Sequence, residues 1–420
     1  MLVALLLWSS LHIANSDATA LPTDEHGDYN GSDLIEWINS HPQGYVHPSL
    51  RIGRRIPGDS SSIIGTFVSS APGAKPIEKD EVIATIPWDR MIGPGDEYSP
   101  TTFGSCQAIR NLASELKLGD NSQYAPYVRY LLTQSIEAMP GEWSKAGQMF
   151  LRQITADGEL PPLDADWFEA AEYKNVWLNA CRGSDDSIGR LAYYLTSNRD
   201  EDTLMIPIYD MMNHSNDPDK LNTLSYKPNK VGDSFVFRAS RRINPSEEIF
   251  NCYNRCHACS TNFREECETY SFRGTPDIFA HYGFVEEIPH YWWFDCNEGH
   301  QVTEIEFCLE KIAATGELSV SWINSTPGDH DKAFFVKHLE RLKQIESNKE
   351  GLEGQLVQPD SENATSQEKM SRLEWEACWK YHNALITAID AAIVSLNRIR
   401  RGSATAKLIV HDEYDIGDEL

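Results

Sequence analysis

The segment Leu204-Met205-Ile206-Pro207-Ile208-Tyr209-Asp210-Met211-Met212-Asn213-His214-Ser215 decides how this chain is read. An apolar run opens it, and three polar side chains, Asp210, Asn213 and His214, come at its end. A strand of this build carries its last residues to the rim of a sheet, where side chains can converge on a ligand. A second segment repeats the plan. Asn244-Pro245-Ser246-Glu247 reads as a turn, and Glu248-Ile249-Phe250-Asn251-Cys252-Tyr253 as a strand that ends in a phenol. A third, Asp277 to His281, reads as a short helix and leads into Tyr282-Gly283-Phe284-Val285.

The periodicity changes on either side of these segments. Asp33-x-x-Glu36 predicts a capped amphipathic helix carrying Leu34, Ile35, Trp37 and Ile38. Residues 45–91 alternate short apolar runs with Gly, Pro and Ser, the pattern of several short strands joined by turns. From about 105 to 192 apolar residues recur at helical spacing, as in Ile109, Leu112, Leu116 and then Tyr127, Val128, Leu131, Leu132. Strand signals return at 204–209, 234–239 and 248–253. Residues 333–345 and 372–400 are helical again, with Trp375, Trp379, Leu385, Ile389, Ile393 and Leu396 along one side of the latter. Between those helices, 347–367 is polar and reads as a loop. The order is β, helical insert, β, helical tail, with no internal repeat.

The three segments together resemble the SET-domain protein methyltransferases, in particular the Rubisco large-subunit methyltransferase and SETD-like group that carries a helical insert. That family's Pro-x-x-Asp-x-x-Asn-His strand end, Gly-Glu-x-Ile-x-x-x-Tyr strand and Tyr-Gly-Phe closure stand here in the same order. Ser246 occupies the place of the second motif's glycine. The resemblance covers roughly residues 45 to 290. It implies an α+β chain: a SET-type β-fold of several small sheets with a helical insert, plus an all-helical C-terminal domain. The expected division is a signal peptide over 1–20, an N-terminal SET part over 30–104 and the insert over 105–192. The SET core with the cofactor and catalytic motifs follows over 193–290. A helical domain similar to a substrate-binding domain spans 291–410, and an acidic tail 411–420.

The resemblance also implies a cofactor, a substrate and roles. The methyl donor is S-adenosylmethionine, and the acceptor a lysine, more rarely a histidine, of a protein partner. Tyr253 matches the catalytic tyrosine. Gly65, Asp210, Asn213 and His214 match cofactor-binding positions, although Ile63 stands where a first glycine of the Gly-x-Gly loop is expected. Arg199 matches the arginine of a Ser-Arg pair, with Asn198 before it, and Phe272, Tyr282 and Phe284 would wall the substrate channel. Methyl transfer suits such a set. In-line positioning supplies most of the rate, oxygens can hold the polarised methyl C–H groups, and a narrow dry channel favours the neutral amine that attacks. Each residue also has a plainer reading. His214 alone would be a core histidine, Tyr253 a strand aromatic, Arg199 a surface cation beside Asp200, Glu201 and Asp202, and the other aromatics core packing.

Charge and cysteines bound the rest. Over 420 residues, 37 Lys and Arg against 63 Asp and Glu give a formal charge of −26, which argues against a nucleic-acid partner. The apolar run Leu2 to Trp8, followed by Ala18-Thr19-Ala20, predicts a cleaved secretory signal, and no run is long enough for a membrane span. Gly417-Asp418-Glu419-Leu420 is similar to an ER retrieval signal, so the expected location is the secretory pathway, with the ER lumen as one option within it. A secretory-type signal also leaves open a multi-membrane route into a plastid. Asn30, Asn324 and Asn363 head glycosylation sequons. Of nine cysteines, Cys252, Cys256, Cys259 and Cys267 cluster, and either disulfides or a tetrahedral zinc could account for them. The main expectation is a monomeric protein-lysine methyltransferase that carries no catalytic metal. The alternatives are a catalytically silent SET-like module that binds a protein segment, and a disulfide-stapled luminal glycoprotein without a cofactor.

Overall fold

The computed structural model describes residues 29–56, 58–59, 62–98, 106–136, 139–162, 173–201, 203–253, 274–298, 301–323, 328–357, 369–401 and 408–409. Helix α1 (Ser32–Asn39) buries Leu34 and Ile38, as its spacing predicts. The expected cap is not formed. Gly31 holds the N-cap position, and the Asp33 carboxylate instead pairs with Arg129 of the helical insert at 2.6 Å. The Gly- and Pro-rich stretch yields strands β1 (Tyr45–Val46), β2 (Leu50–Arg54), β3 (Ile64–Val68) and β4 (Val82–Ile86).

The insert is helical: α2 (Cys106–Leu118), α3 (Ala125–Leu131), α4 (Lys145–Ile154), a π-helical stretch Tyr173–Ala180, and α5 (Ser187–Arg199). A disulfide between Cys106 and Cys181 ties the start of α2 to the end of the π-helical stretch. This pair lies outside the cysteine cluster on which the sequence reading concentrated. Of that cluster only Cys252 is among the described residues, and Cys256, Cys259 and Cys267 lie outside them.

After the insert come β5 (Asp200–Glu201), β6 (Leu204–Met205), β7 (Asn213–His214), β8 (Thr223–Tyr226), β9 (Phe235–Ala239) and β10 (Glu248–Asn251). They complete two small sheets, ordered β1-β4-β9-β8 and β2-β3-β10-β7, while β5 and β6 form a ribbon of their own. Several small sheets are what the resemblance implied. The strand expected over 204–209 is cut short at Met205. Pro207 cannot donate to a ladder, and Ile208 turns at a positive φ of 70° into a short 3-10 turn, Tyr209–Met211.

Helix α6 (Thr275–Tyr282) leads into a larger antiparallel sheet of β11 (His290–Glu298), β12 (Gln301–Lys311) and β13 (Leu318–Ile323). Helices α7 (Asp329–Ser347), α8 (Lys349–Leu356) and α9 (Arg372–Arg400) follow, and β14 (Leu408–Ile409) adds to the sheet edge beside β13. The C-terminal region therefore has the expected helices and, before them, strands that the sequence reading did not separate out. In β12 the pattern is close to period two, with the buried Cys308 as the exception. Ile305, Phe307 and Leu309 are buried, while Glu304, Glu306 and Glu310 alternate with them on the wetter side.

Two cores result. One gathers the small sheets with α1, α2, α3 and α5 around Ile52, Val68, Ile83, Leu112, Val128, Ile206 and Phe237. The other packs β11, β12 and β13 against α4, α7 and α9. Helix α4 thus belongs to the insert in sequence and to the C-terminal core in space. The Glu374 carboxylate fixes it there. One oxygen accepts the Ser144 N–H at 2.6 Å, and the other accepts the Ser144 hydroxyl at 2.9 Å and the Ser371 N–H at 2.8 Å. Ser144 and Ser371 are the N-caps of α4 and α9, so a single buried carboxylate serves both helix starts. No helix among the described residues is long and apolar enough to cross a membrane.

Candidate active site

The ends of the two quoted strands meet. Strand β7 lies parallel to β10, with Asn213 opposite Phe250 and His214 opposite Asn251. Strand β3 flanks β10 on the other side, which brings Gly65 to the same rim. A Cβ at Gly65 would sit 2.6 Å from Asn213 Nδ2 and 2.8 Å from Glu248 Oε1, so only glycine fits. Ile63, two residues back, is 50% exposed at the approach to this rim. The turn before β10 explains a second departure from the motif. Ser246 has a φ of 70°, the left-handed region that glycine adopts at least cost.

Asn213 is held from two directions. Its Nδ2 donates to Ile64 O at 3.2 Å and to Glu248 Oε1 at 2.7 Å. The other oxygen of Glu248 accepts from Arg55 Nε at 2.7 Å. Arg55, Glu248 and Asn213 therefore form one chain of charge-assisted bonds around the Gly65 backbone.

His214 and Tyr253 are bound to each other. The Tyr253 N–H donates to His214 Nδ1 at 2.9 Å, and the Tyr253 hydroxyl donates to Met212 O at 2.5 Å. Tyr253 thus lies alongside the end of β7, tied through its main chain to His214 and through its hydroxyl to Met212. The opposite ring nitrogen, His214 Nε2, faces Glu286 Oε1 at 2.6 Å, with both side chains almost fully buried. Glu286 Oε2 accepts from Thr275 Oγ1 at 2.5 Å. Aromatic rings close the group: Tyr253 stands 5.2 Å from His214 and 5.0 Å from Tyr282, and Phe284 lies 6.1 Å from both His214 and Tyr282. Burial, opposed by Arg199, pushes the Tyr253 phenol well above its ordinary pKa, so it is a neutral donor and acceptor near pH 7.

Behind this rim lies a buried polar knot. Arg199 Nη1 donates to Asp210 O at 2.9 Å and to the Tyr130 hydroxyl at 3.2 Å, and Nη2 donates to Gln134 Oε1 at 2.7 Å. The plain reading of Arg199 as a surface cation does not hold, because its guanidinium points inward. The Asp210 carboxylate and the Tyr127 hydroxyl face each other, and neither completes a hydrogen bond of ordinary geometry. Burial pushes the Asp210 carboxyl up to about 7, with Arg199 pulling in the opposite direction.

Gly65, Asn213, His214, Tyr253, Tyr282 and Phe284 therefore come together at one rim. Asp210 and Arg199 sit beneath it, and Phe272 lies outside the described residues. Glu248, Arg55, Glu286 and Thr275 complete the site and were not singled out from sequence. Glu248 opens a quoted strand and Glu286 stands directly after Val285, and neither position by itself separates them from surface carboxylates. Among the described residues no group of His, Cys, Asp and Glu could hold a metal ion.

Residues 74–254 match the family model of the SET domain. Over that span the chain is similar to the SET domain. Its matched span ends one residue after Tyr253, and it includes β4, the insert, and the β7 and β10 rim. Among solved structures, one similar to the chain is the SET domain of LSMT bound to lysine and AdoHcy. It is 9% identical over 90% of this chain and 93% of that one, with a TM-score of 0.46. Rubisco LSMT bound to sinefungin and monomethyllysine is 10% identical over 90% and 93%, with a TM-score of 0.45. Rubisco LSMT bound to AdoMet is 11% identical over 92% and 98%, with a TM-score of 0.44. No curated protein matches the sequence.

Proposed function

We propose that this chain transfers a methyl group from S-adenosylmethionine to a lysine side chain of a protein. One observation carries the reading: Tyr253 lies across the paired ends of β7 and β10, its main-chain N–H donating to His214 and its hydroxyl to Met212, on the rim where Gly65 lets Asn213 and Glu248 pack against the main chain of β3. When bound, S-adenosylmethionine supplies a methyl on a positively charged sulfur. Gly65 and Asn213, paired at this rim, are the residues that would hold that group. The hydroxyl hydrogen of Tyr253 is spent on Met212, so the phenol oxygen presents lone pairs, and these can accept C–H contacts from a polarised methyl. Tyr282 and Phe284 would line the approach of the acceptor. Apolar walls disfavour an ammonium, so they shift an entering lysine toward the neutral amine that can attack.

The test is incubation of the full chain with labelled S-adenosylmethionine and native protein extract, followed by mass spectrometry of the labelled proteins. Label on lysine supports the reading. Thermal stabilisation by the cofactor without any transfer would indicate the silent binding module instead, since a ligand of the folded state alone raises stability. Neither effect would leave the domain without a cofactor.

We further propose that the protein works on the secretory route. The Cys106–Cys181 disulfide supports this, because such bonds persist in oxidising compartments and are rare in the cytosol. Thiol labelling of the protein taken directly from cells, before and after reduction, tests it. Cys106 and Cys181 labelled without reduction would count against that location.

A further inference from the structure

We propose that Glu286 is a positioning residue for Tyr253, acting through the His214 ring. The proposal rests on the catalytic reading of Tyr253 and adds to it a residue that the three motifs do not contain. A histidine placed between a backbone N–H and a carboxylate has one arrangement that satisfies both. His214 Nδ1 must keep its lone pair to accept the Tyr253 N–H at 2.9 Å, so the ring hydrogen sits on Nε2 and donates to Glu286 Oε1 at 2.6 Å. The opposite tautomer would set two hydrogens against each other at Tyr253 and leave the carboxylate facing a bare nitrogen. Glu286 therefore selects the tautomer.

The carboxylate itself is fixed. Thr275 Oγ1, in the first turn of α6, donates to its second oxygen at 2.5 Å, and its own main-chain carbonyl faces His290 Nε2 at 2.9 Å. The chain Thr275, Glu286, His214, Tyr253 N–H thus runs from α6 to the end of β10, and the phenol's other end is tied to Met212. Glu286, His214 and Thr275 have almost no exposed side-chain surface, so water cannot readily replace a lost partner. Losing the carboxylate frees the ring to turn or exchange tautomer, and Tyr253 loses the acceptor that sets its backbone. A misplacement near 1 Å at a reacting group costs about a hundredfold in rate.

The experiment compares Glu286→Gln, Glu286→Ala and Thr275→Val in the full chain. A glutamine oxygen can still accept from His214 Nε2–H, and its amide can donate to Thr275. Glu286→Gln is therefore expected to stay within about threefold of the parent in kcat, Thr275→Val to lose about tenfold, and Glu286→Ala about a hundredfold, with cofactor affinity nearly constant across the set. Nitrogen-15 NMR of the labelled His214 ring, assigned with His214→Gln, reads the tautomer independently of activity. The parent and Glu286→Gln should carry the hydrogen on Nε2, and Glu286→Ala should lose that single state. A parent ring protonated on Nδ1 overturns the proposal, as does a Glu286→Ala protein with parental kcat, or one that loses cofactor affinity as steeply as rate. If the parent has the expected ring state and transfers no methyl to any protein, the catalytic reading fails while the Glu286–His214 coupling stands. Should Glu286→Ala not fold, Thr275→Val and Glu286→Gln still decide, through the ring state and the kcat order.

Discussion

The two cores of this molecule are built from different chemistry. The C-terminal core is a lattice of rings. Phe294 stacks on Trp292 and Phe307, and Phe335 meets Phe294 edge-on at 5.2 Å. Phe150 of α4 stacks on Trp375 of α9 at 5.4 Å. The SET core has aliphatic strands at its centre but holds a charged knot, Arg199 with Asp210, Tyr127 and Tyr130, directly under the rim that carries Tyr253. Rings gain stability from burial alone. A buried carboxylate with poorly formed hydrogen bonds costs stability, and such costs cluster at functional sites. The contrast separates a region that holds shape from one that keeps costly polar groups beneath the candidate site.

The largest test of that separation is Phe335→Ala. Removing a fully buried ring from the C-terminal core should cost about 4 kcal/mol in denaturant unfolding, while the folded fraction keeps its affinity for a cofactor analogue. Loss of affinity in the folded protein would mean that the two cores are not independent. Next comes Tyr253→Phe, expected to lower turnover by roughly a hundredfold or more, about 3 kcal/mol, with cofactor affinity and melting temperature nearly unchanged. Equal rates in the two proteins would remove the phenol from the chemistry.

Asp210→Asn sharpens the comparison through pH. The folded-state value of about 7 lies above the ordinary carboxylate value, so the native state binds more protons than the unfolded chain across the interval between them. This group's contribution is therefore fully present below about pH 4 and is lost as pH rises toward 7. Between about pH 5 and 6.5 the parent should lose about 2 kcal/mol relative to Asp210→Asn, read from melting curves of both proteins. A constant offset between the two curves would show that the carboxyl is not held neutral by burial. The smallest effect is Ser246→Gly. Relief of the left-handed strain, less the added freedom of the unfolded chain, should stabilise the fold by about 0.5 kcal/mol, measurable as a shifted denaturant midpoint. A destabilised variant would mean that the serine side chain contributes more than its backbone costs.

What could be read in the sequence follows the same division. Asp210, Asn213, His214 and Tyr253 stood at the ends of apolar runs, where polar groups are conspicuous, and their convergence needed only that β7 and β10 be neighbours. Glu286 and Glu248 act through partners 72 and 35 residues away, respectively, and nothing local distinguishes them from surface carboxylates. Asp33 is not the cap because the helix begins two residues earlier than expected, with Gly31 at the N-cap; one Asp33 oxygen accepts the Leu34 N–H and the other pairs with the distant Arg129. In the C-terminal core the long helix α9 was plain from its apolar spacing. The strands before it were not, because adjacent aromatic residues such as Tyr291, Trp292, Trp293 and Phe294 mask their period of two. The pairing of Cys106 with Cys181 spans 75 residues, and no spacing rule selects it among nine cysteines.

The shared carboxylate of Glu374 has a consequence for how the chain comes into being. Ser144 leaves the ribosome 230 residues ahead of its partner, a delay of roughly ten to fifty seconds at ordinary elongation rates. Throughout that interval Phe150, Leu151 and Ile154 have no Trp375 or Trp379 to cover them. Synthesis must therefore pass through a stage in which the apolar face of α4 waits uncovered for the last helix to be made.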